Sequence, residues 1–395
     1  MGDEPLRILF AAPAWWPSRA FGGPVTAARE LVRRLAERGH TVDVLTTTID
    51  DLHKRPAFRS SIREADGATI CYLGTPLRYR WMGITPTLWA ALVRSAPPDV
   101  VHVFGFRDPV TTGTAAWCRL RGVPYVFEPL GMFRPRLRKV LLKRALDASL
   151  YRGIAKGAAA VVVASALEGE DLVAGGVAPD RVHVRGNGFP EPYDGVPPRG
   201  LREKLGIPPD GPIVLYVGRI ASGKGIEYLL EAVRRLSDVH LVLAGPDDRH
   251  GTSDLVEQAL VETGGRIHVL PPRAEPPLDL YPQASVFVLA SAGESFGMVA
   301  AEAAAAGTPV IVSDRCGVAA SFRAGEALVI PYEQEAVVDA IRRVLTDGDL
   351  RKELARGGVE AARRTSWNHV TDVQEDIYRA IASRTAARKF STDGS

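Results

Sequence analysis

Short apolar runs alternate with helical stretches along this chain, and the alternation runs twice. Residues 7–12 (RILFAA), 41–46 (TVDVLT), 99–105 (DVVHVFG), 123–128 (VPYVFE) and 159–165 (AAVVVAS) each read as a buried strand. Runs this short, rich in β-branched residues and bounded by Pro and Gly, favour strands over pieces of helix. Pro24 to Glu37 carries a helical pattern that Gly39 ends. Strands interleaved with helices imply a parallel sheet covered on both faces. Residues 185–200 (RGNGFPEPYDGVPPRG) break the pattern, and their Gly and Pro density predicts an interdomain linker. The alternation then restarts at 212–218, 239–245, 266–270, 285–290 and 308–313. Two doubly wound α/β domains are expected, 1–190 and 191–365, facing a central cleft, with ligands beyond the carboxyl ends of the strands. A last amphipathic helix is expected over 366–384, with Val370, Val373, Ile377 and Ile381 at helical spacing. The tail after Arg384 is expected to be frayed.

Composition narrows the classes. A chain of 395 residues suits two domains. Its 49 basic and 46 acidic residues leave a net charge of +3, too small to argue for a nucleic-acid binder. Cys71, Cys118 and Cys316 are far apart and match no zinc spacing, so reduced thiols are expected. The opening MGDEPLRILFAAPAWWP lacks the basic start and long apolar run of a signal peptide, and no stretch of about 18 apolar residues occurs. A cytoplasmic protein is expected, with peripheral membrane contact open. Enrichment in Ala, Arg, Gly and Pro points to a GC-rich bacterial genome and decides no pathway.

Three loops carry candidate chemistry. From Gly218 to Lys224, GRIASGK reads G-x-x-x-x-G-K, like a P-loop, but Gly225 stands where Ser or Thr would hold Mg²⁺. What survives is charge: Arg219 and Lys224 at a strand-to-helix turn can neutralise a diphosphate without a metal. A basic surface loop explains this motif equally well. The second loop is AGESFGMVAAEAAAAGTPVI (292–311). Its Glu294 and Glu302 are eight apart, and Gly297, Met298 and Val299 fall at a helix start whose free N–H groups attract anions. Glu302, one turn on, can accept hydrogen bonds from vicinal hydroxyls such as those of a ribose, and Glu294 can grip a sugar. Ordinary capping of the first turn is the competing explanation. The third is the pair Gly22-Gly23, which lets backbone approach a ligand but fails the dinucleotide fingerprint.

Gly22-Gly23, then GRIASGKG, then ESFGMVAAEAAAAGTPV, in this order, resembles the GT4 family of nucleotide-sugar glycosyltransferases, across nearly the whole chain. The resemblance implies the GT-B fold, two Rossmann-like domains with acceptor on the first and donor on the second. It also implies a retaining transfer that needs no divalent metal and no cofactor beyond the donor. Arg219 and Lys224 would hold the donor diphosphate. Glu302 would bind the ribose, and Glu294 with the backbone of Phe296 to Val299 would contact sugar and phosphate. Gly22 and Gly23 would approach the phosphates, and Arg273 beside Pro272 would cover the base. Gly218 belongs to the same clamp, and the C-terminal helix 366–384 would pack back on the first domain.

One departure concerns the acceptor. Relatives carry His or Arg just before a Gly after the VPYVF strand, where this chain has Leu130 before Gly131. Glu128 can face an acceptor there, or be a strand-end carboxylate in a solvated turn. Phe106 and Arg107 complete the acceptor-side candidates. Trp15 and Trp16 can stack on sugar rings or fill the core. The basic stretch 133–157, with Arg134 to Lys156, can lie on an anionic membrane or simply be a solvated helix face. DGD at 347–349 looks like a metal motif but sits between helical segments, where a capping turn is expected. A nucleotide-sugar 2-epimerase and a non-catalytic nucleotide-sugar binder remain the alternatives to a transferase.

Overall fold

The computed structural model describes residues 4–18, 22–50, 54–79, 81–132, 152–193, 195, 200–247, 252–273 and 277–392. The basic stretch 133–157 lies outside the described residues except for its end, the short helix Arg152–Gly157. The chain divides into two compact units, Met1–Gly186 with Trp367–Ser395, and Asn187–Ser366.

The first unit contains β1 (Arg7–Ala11), β2 (Thr41–Thr47), β3 (Ser61–Ala65), β4 (Ala68–Leu73), β5 (Leu77–Tyr79), β6 (Met82–Ile84), β7 (Val100–Phe104), β8 (Tyr125–Glu128), β9 (Ala160–Val163) and β10 (Val182–Val184). Eight of these form one sheet in the order β10-β9-β8-β7-β1-β2-β4-β3, and β5 and β6 form a separate two-stranded sheet. All neighbours in the large sheet are parallel except β3 against β4. β1 lies between β2 and β7, with Ile8 opposite both Val42 and Val100. Helices cover both faces there, which is why Ile8 to Ala11 can all be apolar and buried. The strand order reverses between β1 and β7, the switch point at which open α/β sheets receive ligands.

The C-terminal helix Trp367–Thr392 belongs to this unit. It runs eight residues beyond Arg384, so the expected frayed tail is helical there. Val370, Ile377 and Ile381 are buried as their spacing implied, together with Tyr378 and Gln374. Those two enter a buried polar network. Arg185 donates from Nη2 to Glu128 Oε1 at 2.9 Å, and from Nη1 to Glu128 Oε2 at 3.0 Å and Gln374 Oε1 at 2.8 Å. His102 on β7 joins Glu128 through Nε2 at 3.1 Å and the Tyr378 hydroxyl through Nδ1. Arg185 was expected in the linker, yet its guanidinium is core.

The second unit contains β11 (Ile213–Val217), β12 (His240–Ala244), β13 (Ile267–Leu270), β14 (Val286–Leu289), β15 (Val310–Ser313) and β16 (Leu328–Ile330). They form one wholly parallel sheet in the order β13-β12-β11-β14-β15-β16. Its switch point lies between β11 and β14. The residues that leave these two strands are 218–225 and 290–297, the two motifs that the sequence singled out.

Candidate functional site

The loop after β11 is held against the loop after β14 by backbone contact. Ala292 N–H donates to the Gly223 carbonyl at 2.9 Å, and Ser291 Oγ donates to the same oxygen at 3.2 Å. Gly225, with φ of 71°, starts the helix Ile226–Arg235 so close to β14 that a Cβ there would lie 1.9 Å from the Ala290 carbonyl oxygen. Behind them, Gly218 N–H donates to the Ala244 carbonyl at 2.9 Å. The tight turn therefore fixes where Arg219 and Lys224 leave the backbone.

Lys224 and Glu294 meet directly: the ammonium donates to Glu294 Oε1, and both side chains are partly solvent-exposed. Arg219 lies on the same loop, its carbonyl accepting from the Tyr216 hydroxyl at 2.8 Å. Burial raises the Tyr216 phenol, Glu294 raises it further and Arg219 opposes, so both charges act at that one hydroxyl. Glu294 is positioned by a short parallel bridge to Cys316, in which Gly317 N–H donates to the Glu294 carbonyl at 3.2 Å.

Three residues beyond Glu294, Gly297 takes a φ of 109° at the start of the helix Met298–Ala305. A Cβ there would lie 2.9 Å from Leu289 Cδ2, so the turn requires glycine. Met298 is buried and Val299 half-buried. Phe296 is core: its ring packs edge-on against Phe189 at 6.3 Å, and its carbonyl accepts from Val318 N–H. Glu302 is buried and accepts from the Tyr281 hydroxyl at 2.7 Å. Burial pushes its carboxyl up to about 7, with the Tyr281 hydrogen bond opposing. Its field also reaches the half-buried Tyr193. Arg273 is bound to Asp279 at 2.6 Å on the surface. Arg219, Lys224 and Glu294 thus share one locale, with Glu302 one to two turns into the adjoining helix, all on the carboxyl side of the second sheet.

A depression of about 560 Å³ opens at the opposite, amino side of that sheet, lined by Asp210, Pro212, Asp238, Ser285, Pro309 and Arg351 among others. None of the candidate residues lines it. Among the described residues no group of three His, Cys, Asp or Glu is placed to hold a metal ion. In DGD, Asp347 caps the helix Gly348–Arg364, accepting from the N–H groups of Asp349 at 3.1 Å and Leu350 at 2.9 Å.

The first unit corrects two acceptor-side expectations. Glu128 neither faces an acceptor nor lies in a solvated turn. It is buried against Arg185 and His102. Burial pushes its carboxyl up, but Arg185 and His102 outweigh this and hold it below the usual range. Phe106 is core, edge-on to Phe127 at 5.3 Å. Arg107 and Leu130 keep their place beyond the carboxyl ends of β7 and β8, and both adopt positive φ, 62° and 56°. The Arg107 guanidinium donates to the Met132 carbonyl, and Gly131 N–H donates to Glu168. Left-handed backbone at non-glycine positions gathers at working sites. Gly22 takes φ of 55° ahead of the helix Gly23–Glu37. Trp15 is core, while Trp16 lies outward under the Arg29 guanidinium at 4.9 Å. Tyr281, Tyr193, Arg185 and Glu168 went unnoticed in the sequence, where no motif marks them.

Comparison with known proteins is consistent along the chain. Residues 22–188 match the family described as glycosyl transferase 4-like domain, and residues 199–360 match glycosyl transferases group 1. D-inositol 3-phosphate glycosyltransferase of Xylanimonas cellulosilytica is 34% identical over 244 residues, and the match spans 58% of each chain. D-inositol 3-phosphate glycosyltransferase 1 of Catenulispora acidiphila is 28% identical over 96% of this chain and 97% of its own. Among solved structures, sucrose-phosphate synthase from Thermosynechococcus elongatus superposes with a TM-score of 0.77 at 23% identity, over 96% of this chain and all of that one. Anabaena HepE in complex with UDP-glucose gives 0.73 at 17% identity, over 96% of this chain and all of that one.

Proposed function

Because the chain belongs to the GT4 family of glycosyltransferases, with the GT-B fold, we propose that it is a retaining enzyme that moves a sugar from a nucleoside-diphosphate sugar to a hydroxyl of a small-molecule, saccharide or lipid-linked acceptor. The observation that carries this is the meeting of Lys224 with Glu294 at the second switch point, with Arg219 on the same loop.

In this reading the bond from the anomeric carbon to the diphosphate oxygen breaks, with its electrons going to the diphosphate. The acceptor oxygen bonds to the same carbon from the same face, and its proton passes to the departing oxygen. Negative charge grows on the leaving group, and two cations fixed on a tight turn stabilise it without reorganising. No divalent metal is required. In the free protein the Lys224 ammonium rests on Glu294. An arriving diphosphate draws it away and leaves Glu294 to accept from the donor sugar. Glu302, oriented by Tyr281, accepts from the ribose hydroxyls. The second unit binds the donor, and the loops bearing Arg107, Leu130 and Gly131 on the first bind the acceptor. A cytoplasmic site of action follows from the donor. HepE is solved with UDP-glucose, which makes UDP the first nucleotide to try.

Thermal shift with UDP, GDP, dTDP and ADP identifies the base, because ligand binding raises stability by mass action. Transfer is then followed by NMR on an acceptor panel, with and without excess chelator. Retention at the anomeric carbon with full activity in chelator is expected. Inverted product or a strict Mg²⁺ requirement contradicts the mechanism. An epimerised donor formed without acceptor contradicts transfer itself.

A further inference from the structure

Exposed large apolar side chains concentrate on one part of the first unit. In the hairpin β5–β6, Leu77 stands opposite Ile84 and Tyr79 opposite Met82. Directly opposed residues, and alternate residues along each strand, share a face. All four therefore lie on one side of the ribbon, with Leu77 64%, Tyr79 58% and Ile84 45% exposed. The helix Leu88–Arg94 follows at once. It buries Leu88 and Leu92 and turns Trp89 and Val93 outward, 46% and 66% exposed. Positions four apart on a helix are neighbours, so these two form a second outward pair. The helix and β6 both pack on the helix Pro109–Arg121, which places both outward apolar faces on the same part of the unit.

Several large apolar side chains exposed on one part of a surface imply something that covers them. The charges around it choose the occupant. From Gly67 to Pro98 the sequence has no Asp or Glu but has Arg78, Arg80 and Arg94. Arg94 is exposed beside Val93, and Lys54, Arg55 and Arg59 are exposed around Phe58. The nearby acid Asp66 is engaged by Arg29 at 2.6 and 2.9 Å. Aliphatic side chains, Trp and Tyr, with the exposed Lys54, Arg55, Arg59 and Arg94 outnumbering the exposed Asp50, match a surface that is apolar beneath and negative above. A second copy of this chain would bring like charge against like.

We propose that the hairpin β5–β6 and the helix Leu88–Arg94 form a docking surface for an anionic lipid bilayer. The hairpin part of the surface lies beyond the carboxyl ends of β2 and β4: a Cβ at Gly83 would lie within 3.0 Å of Thr47 and Ile49 side chains. That is the same end of the sheet as Arg107 and Gly131. An acceptor carried by a lipid would be presented there, and this acceptor class rests on the transferase reading; the docking does not.

The test is cosedimentation of the full chain with phosphatidylcholine vesicles and with phosphatidylglycerol-rich vesicles. Partition is expected to be at least about tenfold stronger onto the anionic vesicles and to weaken with added salt. Trp89→Ser with Val93→Ser, and Leu77→Ser with Ile84→Ser, should each weaken it about tenfold or more. Arg94→Glu changes only an exposed side chain, so it remains informative if the serine variants fold poorly. It should weaken anionic partition about fivefold or more. Equal binding to both vesicles, no binding, or unaltered binding by Arg94→Glu overturns the proposal. So does light scattering that shows a dimer which the serine variants dissociate, because the patch then belongs to a second copy. Nucleotide-induced thermal shift is read alongside: its loss in the wild type with vesicle binding intact removes the transferase reading and leaves the docking standing.

Discussion

Gly225 decides whether the loop after β11 can be a P-loop. The consensus asks there for a hydroxyl-bearing side chain, and the Ala290 carbonyl occupies the space that its Cβ would take. Gly225→Ser, which completes the consensus, is expected to lower stability by about 2 kcal/mol or more. It should confer no Mg²⁺-dependent triphosphatase activity, which a phosphate-release assay checks. For the neighbouring cations, Lys224→Ala and Arg219→Ala should each reduce transfer about a hundredfold or more, by the loss of one transition-state donor. Near-normal turnover in both variants removes the clamp from the mechanism. Glu302 makes a prediction with a sign. Burial raises its folded-state value from 4.5 to about 7, so its neutral form stabilises the fold fully below pH 4.5 and the benefit is lost as pH rises through 7. The ionised group then costs about 3 kcal/mol at pH 8. Glu302→Gln should melt higher than the wild type at pH 8 and alike near pH 5, while binding the nucleotide more weakly. A melting difference independent of pH contradicts the burial argument.

At the scale of elements, the central strands were legible because they are covered on both faces, which forces continuous apolar runs. β3 was not, since all five of its residues are exposed and carry no alternation. β5, β6, β10 and β16 have three residues each, too few for any period to register. The cations at 219 and 224 were legible because glycines and charge share one short segment. Tyr281 was not, because it reaches Glu302 across 21 positions, and Arg185 reaches Glu128 across 57. The sequence marked Glu128 by its place at a strand end, where solvent is the ordinary surrounding, and had no means to bring Arg185 to it. DGD was read correctly as a turn from its helical flanks. Asp347→Ala should cost about 1 kcal/mol as a lost cap. It should leave transfer and its response to chelator unchanged, and a selective loss of activity would reopen the metal reading.

For the molecule as a whole, the buried network ties four parts of the first unit together, His102 on β7 being one. Glu128 ends β8, Arg185 follows β10, and Tyr378 and Gln374 belong to the C-terminal helix. Removing one member of a buried ion pair strands the other charge. Glu128→Ala is therefore expected to destabilise by about 3–5 kcal/mol, read from denaturant unfolding. Its effect on nucleotide binding by the second unit should be small. A Glu128→Ala variant of wild-type stability would return this carboxylate to the acceptor side.

That network also sets an order of events at the ribosome. Domains commonly form as units while synthesis proceeds, the leading one first. Here the leading unit is finished by residues translated after the middle one, because Trp367 onward supplies partners for His102 and Arg185. The middle unit can be released and fold while its predecessor still waits with a guanidinium and an imidazole facing a missing helix. A premature stop upstream of Gln374 would thus cripple the leading unit rather than the middle one.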